Sequence, residues 1–281
     1  MEIQRIAAFS YHNQGGNPAG VVIGSEMPTE DEMLNTAKIV GYSETAFLHP
    51  FKDGWRIRYF APEMEVPFCG HATIATGAAL GERFGAGTYK LFLNKGDISV
   101  SVSKSETAIF TATLQSPATW SKTAPQAYVK KILTEFNYSF DDLNADYPIR
   151  FASAGAKHLI LVLKNRKNLA DMSYQFDRMK RLMQEEGLVT INLLWIESYQ
   201  LIHSRNPFAA GGVYEDPATG AAAAAFAGYL RDIKWQGGNQ FDISQGEDMG
   251  HLSRLSIEYT PLIGDGIKVT GETRHISESS D

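Results

Sequence analysis

The reading of the fold turns on Tyr214-Glu-Asp-Pro-Ala-Thr-Gly-Ala-Ala-Ala-Ala-Ala-Phe226. Two acids and a proline come first, then Thr219-Gly220, then a run of alanines that fades near Leu230. Alanine has the highest helix propensity, and small side chains let a helix sit in a crowded interior. Asp216 and Thr219 are cap-type residues ahead of that run. The stretch therefore predicts a buried helix whose amino end turns free N–H groups toward an anion. Pro67-Phe-Cys-Gly-His-Ala-Thr-Ile-Ala-Thr-Gly-Ala-Ala-Leu80 has the same shape, with Gly and a polar residue ahead of a small-residue helix. Two such helix starts suggest two similar halves that meet at a shared site.

The rest of the chain supports a repeat. Ile3 to Phe9 and Gly20 to Gly24 read as strands around a turn at Gln14-Gly-Gly-Asn-Pro18. Thr29-Glu-Asp-Glu32 is a capping box that opens an amphipathic helix. Strands at Thr45–Leu48 and Arg56–Phe60 lead into the first small-residue helix, and strands run on through Ala108 to Leu114. Around Gln115 to Pro125 the pattern lapses into Ser, Pro and Thr, which predicts a crossover. The same order then recurs: strand, the turn Ser153-Ala-Gly-Ala156, strand, helix, two strands, buried helix, strands. The expected fold is α+β, two pseudo-symmetric barrel-like halves each wrapped around a central helix. The expected division is 1–116 and 117–281, with the last strand, about 266–276, crossing back to the first half.

Composition narrows the function. The 281 residues are 43% hydrophobic and 21% charged, an ordinary globular balance with room for a sizeable core. Net charge is −6, from 26 basic and 32 acidic residues, which argues against a nucleic-acid or membrane-surface partner. No apolar run has the length of a membrane span, and Met1-Glu-Ile-Gln-Arg-Ile is not a signal peptide, so the expectation is a cytoplasmic protein. Cys69 is the single cysteine. The seven histidines are scattered without a metal-binding spacing, so no metal is expected. Neither a dinucleotide fingerprint nor a phosphate loop is present. Lys130-Lys131 and Lys180-Arg181 lie beside acids on helices and read as solvated faces.

Gly16-Asn-Pro-Ala-Gly20, Ser43-Glu-Thr45, Pro67-Phe-Cys-Gly-His71 and Glu215-Asp-Pro-Ala-Thr-Gly220 occur in the order of the motifs of the PhzF-like isomerases. That family contains the phenazine-biosynthesis isomerase and shares the diaminopimelate epimerase fold. The resemblance covers the chain from Phe9 to beyond Gly271. It implies a cleft between two halves, a small carboxylate-bearing substrate, no organic cofactor and a homodimer. Glu44 matches the family's proton-shuttling glutamate, His71 its active-site histidine and Asp216 its active-site aspartate.

The residue types suit that chemistry. A partly desolvated carboxyl such as Glu44 can carry a proton in either direction near neutral pH, although a strand-edge acid is the plain alternative. His71 at the first helix start either orients Glu44 or meets substrate, unless it is a cap or core histidine. Asp216 either faces substrate or merely complements the helix dipole. Gly70 and Gly220 lack a Cβ, so a ligand can approach their N–H groups, with Ala72, Thr219 and Ala221 beside them. A carboxylate held there would meet donors that also stabilise an enolate-like transition state. Asn17 and Gly155 lie in the two equivalent turns and either line the cleft or simply turn the chain. Glu65 reads as a solvated or hydrogen-bonded structural acid.

Two departures qualify the match. Many relatives have serine after the second Thr-Gly, where this chain has Ala221, so a hydroxyl donor is missing and the phenazine precursor is not carried over as substrate. Phe68-Cys-Gly-His-Ala-Thr73 also resembles the first thiol motif of proline racemases and diaminopimelate epimerases, which use two cysteines. Aligning the second Thr-Gly puts Pro217 at the other thiol position, so a two-thiol racemase is excluded and Cys69 reads as buried and inert. The expected function is a cofactor-independent isomerase or epimerase moving a proton near a carboxylate. The alternatives are an amino-acid racemase using Cys69 with a non-thiol partner, and an idle small-acid-binding member.

Overall fold

A computed structural model describes residues 2–94, 96–106 and 109–277. Ala108, predicted to begin a strand, lies outside the described residues. The chain divides into two compact units, residues 1–115 with 269–281, and residues 116–268.

Unit 1 runs β1 (Gln4–Ser10), β2 (Asn17–Ile23), α1 (Glu30–Val40), β3 (Glu44–Phe51), β4 (Gly54–Phe60), β5 (Glu65–Val66), α2 (Gly70–Phe84), β6 (Gly87–Phe92), β7 (Asp97–Lys104) and β8 (Phe110–Gln115). The capping box at Thr29 forms, and Gly41 ends α1 in the left-handed conformation. β2 pairs β3 in parallel, β3 pairs β4 and β4 pairs β5 antiparallel, β4 pairs β6 in parallel, and β6–β7–β8 continue antiparallel. α2 packs against β1, β2, β7 and β8. Its residues from Gly70 to Gly81 are all buried. Their small size is what permits this: a Cβ on Gly77 would lie 2.7 Å from Val100 Cγ2, and one on Gly81 2.6 Å from Val102 Cγ1.

Unit 2 runs β9 (Trp120–Thr123), α3 (Gln126–Glu135), β10 (Arg150–Ser153), β11 (Lys157–Leu163), α4 (Arg166–Ala170), α5 (Phe176–Glu186), β12 (Thr190–Ile196), β13 (Leu201–Pro207), β14 (Glu215–Asp216), α6 (Gly220–Asp232), β15 (Gln240–Gln245) and β16 (Ser253–Glu258). The pairing of unit 1 recurs: β11 pairs β12 in parallel, β12–β13–β14 are antiparallel, β13 pairs β15 in parallel and β15 pairs β16 antiparallel. α6 packs against β9, β10, β11 and β16. Leu159, Leu161, Ile191 and Leu193 of the sheet meet Val129 and Ile132 of α3 and Met179 and Met183 of α5 in one apolar cluster. The last strand, β17 (Lys268–His275), pairs antiparallel with β1 of unit 1.

Four elements lie where the sequence reading has none: β5, β9, α4 and β14. The Ser/Pro/Thr stretch predicted as a bare crossover contains β9, which pairs antiparallel with β10. β9 is largely exposed, so it shows no apolar alternation by which a strand is recognised.

Candidate active site

β3 starts at Glu44, and α2 starts at Gly70 after Cys69 in the N-cap position. Parallel pairing sets Ala19 of β2 opposite Glu44, so Asn17, buried at the head of β2, lies two residues from that pair. The fold brings His71 to Glu44: Nε2 is 3.4 Å from Glu44 Oε2 and 3.3 Å from Ser43 Oγ. Side-chain exposure is 7% for His71 and 12% for Glu44, so the pair is nearly withdrawn from water. Cys69 Sγ is 3.3 Å from His71 Nδ1 and 3.9 Å from Nε2. Gly70 and Ala72 are buried beside them. No side chain caps α2. Thr73 holds the first turn instead, its hydroxyl donating to Cys69 O at 2.7 Å and meeting Tyr59 Oη at 2.7 Å.

No metal motif is legible in the sequence, yet Glu44, Cys69 and His71 offer three donor atoms within 4.8 Å of one another. The two sulfur distances place Sγ alongside the imidazole rather than in line with either ring nitrogen. A metal in line with a ring nitrogen takes thiolate at about 2.3 Å. Sulfur in this position is out of that reach, so the cluster fits hydrogen bonding better than coordination.

At the second helix start, Thr219 occupies the N-cap position but makes no capping hydrogen bond. Its hydroxyl donates to Asp216 Oδ2 at 2.6 Å. Gln245, unremarked in the sequence, donates from Nε2 to Asp216 O at 2.7 Å and to Thr219 Oγ1 at 2.9 Å, and its Oε1 accepts from Thr219 N at 3.1 Å. Gly220 is buried and Ala221 is partly exposed. Gly155 turns β10 into β11 with φ of +98°.

The sheet registers align the two units residue by residue. Phe60 opposite Glu65 corresponds to Pro207 opposite Glu215, and Ala19 opposite Glu44 to His158 opposite Thr190. Cys69 then matches Thr219, the position assigned to Pro217 from sequence, because the helices start at Gly70 and Gly220. Glu44 matches Thr190, and His71 matches Ala221. Thr190 is buried, bonded to His158 Nδ1 at 2.8 Å and to Asn206 Oδ1 at 2.8 Å. The acid/imidazole pair is thus built in unit 1 alone.

The alignment also exposes a pair of ionic forks. Arg58 grips Glu65 through Nε at 2.8 Å and a terminal nitrogen at 2.7 Å. Arg205 grips Glu215 in the same way, at 2.9 and 2.5 Å. Arg205 also donates to Leu169 O and Ala170 O at the end of α4. Each fork anchors the short strand that feeds a helix start, and the Arg58 fork holds the Glu65 carboxyl below the usual carboxylate range. Glu65 is therefore a structural acid. The signal in the sequence was the repeated Glu-x-Pro-x-x-Gly, at Glu65 and Glu215. The basic groove between α3 and α5, with Lys130, Lys131, Arg178 and Arg181, contains none of these residues, and Lys131 pairs across it with Glu185 at 3.1 Å. No described helix is long and apolar enough to cross a membrane.

The family model described as phenazine biosynthesis-like protein (PhzC-PhzF) matches residues 6–278. The chain belongs to the phenazine biosynthesis-like family. Among curated relatives of this PhzF-family chain, the "uncharacterized isomerase YfhB" of Bacillus subtilis (strain 168) is 29% identical over 290 residues, covering 97% of both chains. The PhzF-family phenazine biosynthesis protein of Bacillus anthracis shares the fold with a TM-score of 0.86 at 23% identity, over 99% of this chain and 98% of that one. A hydroxyproline epimerase from Agrobacterium vitis gives a TM-score of 0.66 at 11% identity, over 98% and 89%. The PhzF-family fold is thus the diaminopimelate epimerase-like one expected from the motifs.

Proposed function

We propose that this chain is a cofactor-independent isomerase that moves a proton at a carbon beside the carboxylate of a small acid. The observation that carries the reading is the withdrawn pair at the start of α2, with Glu44 Oε2 3.4 Å from His71 Nε2. Glu44 takes the proton and returns it, and His71 orients the carboxyl and answers its change of charge. The N–H groups around Gly70 and Ala72 hold the substrate carboxylate and the negative charge that develops as the proton leaves. Asp216, with Thr219, Gly220 and Ala221, forms the second half of the site in this reading, and Asn17 and Gly155 line it. That half rests on the family motifs and on the repetition of the helix start. Family membership and the isomerase names of its relatives support the reaction class. Independence from an organic cofactor and a homodimer rest on the resemblance alone, and a cytoplasmic location rests on the amino-terminal sequence and the lack of a long apolar run.

Thr190 and Ala221 stand where a second Glu44 and His71 would be, which favours a one-base shift on a single face over two-base inversion. The thiol reading has one observation in its favour, the 3.3 Å approach of Cys69 to His71. The test is incubation in heavy water with a panel of α-amino, α-hydroxy and β,γ-unsaturated carboxylic acids, read by NMR. Exchange or migration of a carbon-bound hydrogen near the carboxylate of one acid, abolished by Glu44→Gln, supports the proposal. Exchange that survives Glu44→Gln and disappears with Cys69→Ala supports the thiol reading instead. Binding without any exchange across the panel marks an idle small-acid binder.

A further inference from the structure

Gln245 is buried at the end of β15 with 1% exposure, and every polar hydrogen on its amide is accounted for. One N–H goes to Asp216 O and the other to Thr219 Oγ1, while its carbonyl accepts from Thr219 N. The reverse amide orientation would set two carbonyl oxygens against each other at 2.7 Å, so the network fixes which end is nitrogen. Thr219 Oγ1 accepts from Gln245, and its one proton goes to Asp216 Oδ2 at 2.6 Å. The next residue closes the other side. Gly246 has φ of +74°, and a Cβ there would lie 2.8 Å from Pro217 O. Gln245 thus clamps the Asp-Pro-Ala-Thr segment that precedes α6, and the absence of a side chain at Gly246 lets that segment pass close by.

The fold does not demand this clamp. Trp55 opposite Leu91 in unit 1 corresponds to Ile202 opposite Ile243 in unit 2, so the position of Gln245 is taken by Leu93 in unit 1. α2 starts with the same backbone plan and an apolar residue there. An amide found at one of two equivalent helix starts, and aimed at the one that carries an aspartate, points to Asp216 as its purpose.

We infer that Gln245 is a positioning residue that acts through Thr219 to hold the carboxylate of Asp216 in one orientation. The inference rests on the reading of Asp216 as a site residue. Misplacing a reacting or binding group by about 1 Å costs about 10²-fold in rate, which sets the scale expected for losing the clamp.

The test is Gln245→Leu, the residue that unit 1 uses. Its crystal structure is expected to show the Thr219 hydroxyl and the Asp216 carboxylate parted and the carboxylate turned. Turnover of the acid identified by the heavy-water panel is expected to fall about 10–10²-fold in kcat while KM moves little. In an Asp216→Asn background the same substitution should have no further effect, because its target is gone. Asp216 and Thr219 left in place, with wild-type kcat, would overturn the inference. If Gln245→Leu does not fold, Gln245→Met decides: kcat should fall about 10–10²-fold with the Asp216 carboxylate turned in its crystal structure, and wild-type kcat with Asp216 and Thr219 left in place would overturn the inference. An active Asp216→Asn sinks the reading of Asp216 itself. An inactive Asp216→Asn beside a folded, fully active Gln245→Leu defeats the inference alone.

Discussion

His71 Nε2 lies 3.4 Å from Glu44 Oε2, though the two residues come from different elements of unit 1, the head of β3 and the first turn of α2. The juxtaposition is a product of the sheet. Parallel pairing with β2 fixes where β3 begins, and the antiparallel run through β4 and β5 returns the chain to the same end, where α2 starts. The site is therefore positioned by backbone pairing, and its side chains need only the correct identity.

The ionic forks anchor the strands that feed both helix starts, and they differ in burial. Side-chain exposure is 9% and 3% for Arg205 and Glu215, against 19% and 22% for Arg58 and Glu65. Removing one partner of a buried pair leaves an uncompensated charge and costs about 3–5 kcal/mol. Arg205→Met is expected to lose stability in that range, and Arg58→Met clearly less. Urea denaturation of the two variants checks the order, and equal losses would count against burial as the cause.

His158 is fully buried, and burial pushes its imidazole down to about 3. Thr190 donates its proton to Asn206, so His158 Nδ1 carries the hydrogen toward Thr190, and Nε2 has no partner among the described residues. An unfolded histidine titrates near 6.5. Between about pH 6.5 and 3 the unfolded chain holds a proton that the folded chain refuses. Stability from this group is complete above about 6.5 and falls as pH drops, by about 1.4 kcal/mol per pH unit. His158→Asn should flatten that slope, measured as unfolding free energy between pH 7 and about 5. An unchanged slope would show that other groups set it.

Much of this was legible in the chain. The small-residue runs marked both central helices, since only such residues fit against Val100 and Val102 at α2 and against Thr119 at α6, and the capping box at Thr29 marked α1. The pairing of Glu44 with His71 was legible only through family motifs, because nothing local in Ser43-Glu-Thr45 announces a contact with a distant helix. Gln245 and the arginines of the two forks were missed for the same reason: their partners are set by the fold, and single polar residues in strands carry no periodic signal, so that the repeated Glu-x-Pro-x-x-Gly marks only the acids. β9 was missed because it is an exposed strand in a stretch rich in Ser, Thr and Pro.

Cys69 lies against the ring of His71 and is 7% exposed. If its part is to support the imidazole, Cys69→Ala should keep most of the turnover and lose a modest amount of stability, on the order of 1 kcal/mol for a small buried side chain. Loss of turnover in a variant that still folds would move the assignment toward thiol catalysis.

One base on one face has an isotopic consequence. A shielded Glu44 should return part of the hydrogen it removes, and exchange with solvent should add some deuterium. Product from a single turnover in heavy water is therefore expected to be a mixture of labelled and unlabelled molecules. A two-base inversion would instead deliver solvent deuterium almost completely from the first turnover.

The claim that Glu44 carries the proton is tested most directly by the turnover of Glu44→Gln on the acid that exchanges in the wild type. The amide keeps the shape of the side chain and removes its ability to titrate. If Glu44 carries the proton, kcat falls about 10²–10⁴-fold with binding of the acid largely retained. Turnover near the wild-type rate in a folded Glu44→Gln protein would contradict that claim.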